Sequence, residues 1–387
     1  MNAREIRNGI MLLGAQDWNR RLFDSLIPLP DGTSYNSYLI PGTEKVALID
    51  TVDPPLEEIL MAQLEKVPKI DYVISLHSEQ DHSGTLPKVL NKYPNARLIC
   101  SPKAKDMLLN HLDVTEDRIQ TVDDGEVIDL GGRTLRFVHI PWVHWPETMA
   151  AYLEEDKILF PCDFLGSHIA TTKMYAGDRP EVMEAAKRYF GEIMMPFRTQ
   201  IRGNLEKIRK LDFDLVCPSH GPLWDKPELI ISAYEDWVAE ETKNLVVIPY
   251  ISMHGSTQII VDYLTAELAD RGVHVQLFDL AVTDIGDLAM ALVDARTIVV
   301  GTPTVHVGPH PFVLNAVNLA NAIRPKVQYA AIVGSYGWAT RAVDIIAGAI
   351  PNLKVEVLGA VMAKGLPKEE DYQKLSELAD AIAEKHK

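Results

Sequence analysis

At 387 residues the chain is too long for one ordinary core and suits two domains. Its 47% hydrophobic and 24% charged residues are the composition of a soluble globular protein. The formal net charge of -16 argues against a nucleic-acid surface, because backbone phosphates would repel it, and suits a protein that meets small molecules or basic partners.

The opening stretch "MNAREIRNGIMLLGAQDWNRR" lacks the apolar core of a signal peptide. No later stretch nears the roughly 20 apolar residues of a membrane span. The first elements then mix strand and helix signals. "YNSYLI", "KVALID" and "DYVISL" read as short strands, and "PPLEEILMAQLEKV" places Leu56, Ile59, Leu60, Leu64 and Val67 at helical spacing behind prolines that suit a helix start. "ARLICS", "EVIDL", "TLRFVHIP", "MAAYL", "DKILFPCD" and "DLVCPSHG" continue as strands, with "EED" as a hairpin turn. Strands in two groups with helices outside predict an α/β sandwich over residues 1–243. The stretch "AEETKN", residues 239–244, reads as the joint. Beyond it, "LVVIPY", "VHVQLFDL", "TIVVGTPT", "VQYAAIVGS" and "LKVEVLG" alternate with helical stretches, which predicts a doubly wound parallel sheet over residues 244–387. Cys100, Cys162 and Cys217 are far apart and form no C-x-x-C pair, so neither a disulfide framework nor a cysteine-bound metal centre is expected, and a reducing cytoplasm is the plain reading.

Potential metal ligands gather where strands end. "HSEQDHSG" supplies His77, Glu79 and Asp81 behind "DYVISL"; His144 follows "RFVHIPWV", Asp163 follows "KILFPC" and His220 follows "LVCPS". A metal needs several lone pairs within about 2.0–2.2 Å, and several loops must converge to deliver them. Three neutral imidazoles and three hard carboxylates form a set for two metals, one carboxylate bridging. That charge balance favours a redox metal, iron above all, whereas zinc gains nothing from the added carboxylate. Taken singly, each histidine reads as a turn residue; the complete set at matching strand ends carries the inference. His82 could itself ligate, or it could hold a hydrogen bond that orients a ligand, and the second reading is favoured. His139 lies within a strand and reads as structural, His168 as bordering the site, and His111, His274 and His386 as surface residues.

The later half opens with strand, loop and helix in "VVIPYISMHGSTQII". Ser252, Met253, His254, Gly255, Ser256 and Thr257 form an anion cradle of hydroxyls and amides. No lysine stands there for a nucleoside triphosphate, and G-x-G-x-x-G is absent, so a single phosphate monoester such as that of FMN fits best. Two further strand ends would surround the same site: Pro303, Thr304, Val305, His306 and Gly308, then Gly334, Ser335, Tyr336, Gly337 and Trp338. Tyr336 or Trp338 can stack on an isoalloxazine. His306 and His310 could approach the flavin edge or face solvent.

With these motifs in order, the chain resembles the flavodiiron proteins, or A-type flavoproteins, over essentially its whole length. "GTSYNSYLI", "ALIDTV", "HSEQDHSG", "VHWPETM", "PCDFLG" and "CPSHGP" are similar to that family's metallo-β-lactamase-like αβ/βα sandwich, and "ISMHGSTQ", "GTPTVHVGP" and "GSYGWAT" to its flavodoxin-like sheet. In hydrolase relatives of the first half a histidine stands where Glu79 stands. The resemblance implies one iron held by His77, Glu79 and His144, another by Asp81 and His220, and Asp163 bridging. It implies reduction of dioxygen to water, of nitric oxide to nitrous oxide, or of both, with electrons passing from an external donor through FMN to the two non-haem irons. It also implies a head-to-tail homodimer or dimer of dimers. Ser78, Gln80, Ser256 and the loop "VHVGPHPF" depart from commoner family patterns, and the archaeal reduced-deazaflavin-coenzyme oxidases are a plausible subgroup. No fused rubredoxin-like domain is expected, since the cysteines it needs are missing from this sequence; the donor is expected to be a separate rubredoxin-like protein or a reduced deazaflavin coenzyme. The alternative is a zinc hydrolase joined to a flavodoxin electron carrier.

Overall fold

The computed structural model describes residues 2–387. Its contacts divide the chain into two compact units, Met1–Tyr189 with Phe197–Val238, and Phe190–Pro196 with Ala239–Lys387.

The first unit holds two sheets. Seven strands run in the order Arg4–Arg7, Ile10–Asp17, Thr33–Pro41, Val46–Ile49, Tyr72–Ile74, Arg97–Cys100 and Ile119–Thr121. Five run Val127–Asp129, Thr134–His139, Met149–Leu153, Ile158–Phe160 and Leu215–Val216. Alternation along each strand explains the layering. Leu12, Ala47, Ile49, Ile74 and Ile99 enter one core with Leu135, Phe137, Ala151 and Phe160 of the other sheet. Their neighbours Leu13, Leu48, Val73 and Leu98 face the opposite way and are covered by Leu60, Leu64, Leu86, Val89 and Leu108 of the helices. This is the sandwich with helices outside that the strand grouping predicts.

Two parallel pairings decide where chemistry can gather. Val46–Ile49 pairs in parallel with Tyr72–Ile74, and Ile158–Phe160 with Leu215–Val216. Parallel neighbours end on the same edge, so the loops after these four strands open together. The first hairpin was not anticipated from the sequence. Arg4–Arg7 pairs with Ile10–Asp17 around Asn8 and Gly9, at φ 50° and 79°. Asn-Gly is the pair such a two-residue turn demands, so the signal was present.

In the second unit the parallel sheet runs His274–Asp279, Leu245–Tyr250, Thr297–Val305, Tyr329–Tyr336 and Glu356–Lys364. All five expected strands are present, in the order 2-1-3-4-5. Val246, Ile248, Val299, Ala331 and Val333 pack under the helices Ser256–Asp270 and Glu369–Lys385. The direction of growth reverses between the first and third strands, which opens a crevice beyond their carboxyl ends.

The division differs from the expected joint in two ways. Residues 239–243 fall with the second unit, where Lys243 donates its backbone N–H to the Asp294 carbonyl at 2.9 Å. Phe190–Pro196 also belongs there: the π-helix Phe190–Met194 sets Gly191 so close to Ala289 that an added Cβ would lie 2.9 Å from the Ala289 carbonyl oxygen. No periodicity announces such an exchange. No helix among the described residues is long and apolar enough to cross a membrane.

Candidate metal centre and flavin cleft

Each of the six expected metal-ligand side chains sits just beyond a strand end. His77 follows Tyr72–Ile74, and Glu79 precedes the one-turn helix Gln80–Ser83 that carries Asp81 and His82. His144, Asp163 and His220 follow Thr134–His139, Ile158–Phe160 and Leu215–Val216. Asp50, which the sequence reading passed over, joins these ends. It is 1% exposed, and its carboxylate accepts the Leu76 N–H at 2.8 Å and the Ser219 hydroxyl at 3.2 Å. It therefore braces the residue before His77 and the residue before His220. Thr51 donates its N–H to the His82 carbonyl at 2.9 Å, and Asn36 donates to the carbonyls of Pro218 and Gly221 at 2.8 Å each.

The side chains form two donor sets that share Asp163. Glu79 Oε2 lies 3.1 Å from His77 Nε2 and 3.0 Å from His144 Nε2, and Asp163 Oδ2 lies 3.3 Å from His144 Nε2. The other oxygen, Asp163 Oδ1, lies 2.8 Å from His82 Nε2 and 3.2 Å from His220 Nε2. Asp81 Oδ2 completes that second set, 3.2 Å from His82 Nε2 and 3.3 Å from His220 Nε2. One carboxylate thus presents one oxygen to each set. Of the two readings open for His82, ligand or orienting partner, the geometry bears on the first: its Nε2 is directed into the second set. The one-turn helix brings His82 beside Asp81, which the sequence pattern did not reveal.

Buried polar groups are normally hydrogen-bonded. Here Asp81 Oδ1 and Oδ2, His82 Nε2 and Asp163 Oδ1 are buried without a hydrogen-bond partner despite their close approach. They aim at a shared space, as ligands do, and not at one another. Imidazole nitrogens with carboxylate oxygens are a donor set suited to iron. Burial pushes the Asp163 carboxyl up, but His82, His144 and His220 outweigh it and hold it well below the usual range. Burial likewise opposes charge on His144 and His220, yet Asp163 with Glu79 raises the former to about 9, and Asp163 with Asp81 raises the latter to about 10. Protons neutralise the cluster when no metal does, so metal uptake releases them.

The remaining histidines separate cleanly. His168 borders the site, its ring centroid 4.7 Å from that of His220 and its Nδ1 2.8 Å from the Thr33 hydroxyl. His139 bonds the Val122 carbonyl within the sheet region at 3.0 Å. His111 and His274 are exposed. His386 is buried, contrary to its reading as a surface residue, between Thr297 and Asn244 at 2.8 Å each.

The crevice of the second unit is lined by Ser252, Met253, His254, Ser256, Thr257, Pro303, Thr304, Ser335, Tyr336 and Gly337, with Gly365 as a member the sequence reading missed. Other expected residues do not line it. Gly255, at φ 88°, makes the left-handed entry to the helix Ser256–Asp270. Val305 pairs with Gly308 in a hairpin whose tip carries the exposed His306, and His310 caps the helix Pro311–Ile323. Gly334 lies inside its strand, where an added Cβ would fall 1.9 Å from the Thr302 carbonyl oxygen. Trp338 is 81% exposed. The lining holds hydroxyls and no lysine or arginine, so a phosphate monoester would be held by hydroxyls and helix N-terminal amides.

A sandwich bearing a histidine cluster in which one carboxylate faces two donor sets, followed in sequence by a doubly wound sheet with a hydroxyl-lined crevice, is the arrangement of a two-domain metalloflavoprotein. Residues 33–221 match the family model described as "ODP family beta lactamase". The chain is 35% identical to the nitric oxide reductase of Moorella thermoacetica, over 98% of this chain and 97% of that one. It superposes on the rubredoxin oxygen:oxidoreductase of Desulfovibrio gigas with a TM-score of 0.95 at 28% identity, covering 100% of this chain and 98% of that one. For the flavodiiron protein of Giardia intestinalis the TM-score is 0.92, again at 28% identity and with coverage of 100% and 98%. The chain belongs to the flavodiiron protein family.

Proposed function

We propose that this protein is a di-iron flavoprotein reductase that reduces dioxygen to water, nitric oxide to nitrous oxide, or both, with electrons from an external donor. The observation that carries the reading is the placement of Asp163, whose two oxygens face separate donor sets at 2.8–3.3 Å. His77, Glu79 and His144 would hold one iron, Asp81 and His220 the other, with Asp163 between them. The aim of its Nε2 adds His82 to the second group. FMN would lie in the hydroxyl-lined crevice. When bound, the irons and FMN supply electrons and stabilise developing negative charge.

The chain's own residues settle access and shape. His77, Asp81, His82, Asp163 and His220 are at most 4% exposed, whereas Glu79 reaches 8% and His144 is less deeply buried still. A small gas therefore meets the cluster from the Glu79 and His144 side. Phe23 packs beside the His220 set, its ring 5.3 Å from that of His168 and 6.4 Å from that of His220. Trp145 lies edge-on to His77 at 5.0 Å and fixes that ring.

The donor is a separate rubredoxin-like protein or a reduced deazaflavin coenzyme. A head-to-tail homodimer in the cytoplasm completes the reading. The three free, buried cysteines suit a reducing compartment, and exposed Trp18, Leu22 and Leu26 suit a contact between copies. Sedimentation velocity tests the dimer. The activity is tested by anaerobic reduction followed by stopped-flow mixing with each gas. Prompt flavin reoxidation by dioxygen or nitric oxide is expected. A colourless protein that holds only zinc, or a reduced flavin indifferent to both gases, overturns the reading.

A further inference from the structure

Behind His77 lies a carboxylate outside both donor sets. Glu147 is 2% exposed, and its Oε1 accepts from His77 Nδ1–H at 2.8 Å and from the Ser78 N–H at 2.9 Å. Its other oxygen, Oε2, is buried without a partner. The backbone there is held as well, because Ser101 donates its hydroxyl to the Glu147 carbonyl at 2.7 Å. The equivalent atom in the second set meets something different. His220 Nδ1 donates to the Ser34 carbonyl at 2.7 Å, a neutral acceptor, and His82 Nδ1 has no hydrogen-bond partner. Among the described residues no other imidazole of the two sets is hydrogen-bonded to a carboxylate from outside them.

An anionic acceptor on the far nitrogen makes an imidazole a stronger electron donor and fixes its tautomer and ring orientation. A carbonyl does this more weakly. The set containing His77 thus carries Glu79, a share of Asp163 and, through one ring, the charge of Glu147. The set containing His220 carries Asp81 and a share of Asp163 only.

We propose that Glu147 is a positioning residue that makes the two metal positions unequal, so that the His77–Glu79–His144 position fills first and holds its ion more tightly than the Asp81–His82–His220 position. The inference rests on the di-iron reading above and goes beyond it by ranking the two positions and naming the residue that ranks them.

The test is anaerobic titration of metal-stripped, FMN-loaded protein with ferrous iron, followed by calorimetry and by metal analysis after desalting. The wild-type chain should bind in two resolved steps. Glu147→Gln keeps the shape and an acceptor oxygen for His77 and Ser78 but removes the charge. It should weaken the tighter step about 10- to 100-fold and leave the weaker step unchanged. Glu147→Asp should recover part of the loss. Retained FMN and an unshifted unfolding midpoint show that the variants are folded. Two unaltered steps in Glu147→Gln overturn the proposal and leave the di-iron reading standing, as does an equal loss from both steps. A wild-type chain that takes up no iron overturns the di-iron reading itself.

Discussion

Gly221, directly after His220, offers the sharpest test of how the second donor set is held. Its φ is +80°, and a Cβ added there would lie 2.1 Å from the Ser167 hydroxyl oxygen and 2.7 Å from the Ser167 carbonyl oxygen. In Gly221→Ala the left-handed backbone costs about 1–2 kcal/mol. The forced contact adds roughly 1–3 kcal/mol, giving about 2–5 kcal/mol together. The loop cannot yield freely. Gly221 donates its N–H to the Ser34 hydroxyl at 2.7 Å, and its carbonyl accepts from Asn36 at 2.8 Å. Relief must then come from moving His220, whose Nε2 stands 3.2 Å from Asp163 Oδ1. The variant is expected to lose about 2–5 kcal/mol in urea unfolding and to bind iron at the His220 position more weakly. Ser167→Ala in the same background should return only part of this, since the backbone carbonyl remains in the way. A Gly221→Ala protein within about 0.5 kcal/mol of wild type and holding both irons would refute the reasoning.

Glu79→His replaces the oxygen that stands about 3 Å from both His77 and His144 with an uncharged nitrogen, and is expected to shift the retained metal from iron toward zinc and to abolish gas reduction; unchanged iron content and turnover would count against the charge argument. Gly334→Ala drives a Cβ to 1.9 Å from the Thr302 carbonyl oxygen between paired strands, so FMN retention after gel filtration should fall sharply; full retention would show that the sheet adapts. The last prediction concerns pH. Burial, aided by Arg296, lowers the His386 pKa from 6.5 to about 4. The unfolded chain binds that proton more readily, so the stability His386 provides is complete above pH 6.5 and is lost as the pH falls toward 4. With allowance for screening by nearby solvent the loss is about 1 kcal/mol. His386→Phe should flatten unfolding free energy across that interval, and an identical slope in both proteins would remove His386 from the account.

Legibility in the sequence followed the range of the interactions. The convergence of the six candidate ligand residues could be read because each lies next to a strand whose apolar run announces it. The five strands of the second unit were readable for the same reason. Glu147 and Asp50 were not, since their roles depend on partners 70 and 26 residues away that only the sheet pairing brings close. His386 reads as a terminal surface residue until the last helix seats it against Thr297, 89 residues earlier in the chain. The Asn8–Gly9 turn is a different case, a short-range signal that was available and passed over. The aim of His82 needed the one-turn helix Gln80–Ser83, which is too short to leave any periodicity.

Asp50 carries an implication for how damage spreads. Because this one carboxylate ties the residue before His77 to the residue before His220, the two donor sets share a single anchor. A lesion there would disturb both sets together, whereas the loss of any one imidazole is felt first in its own set.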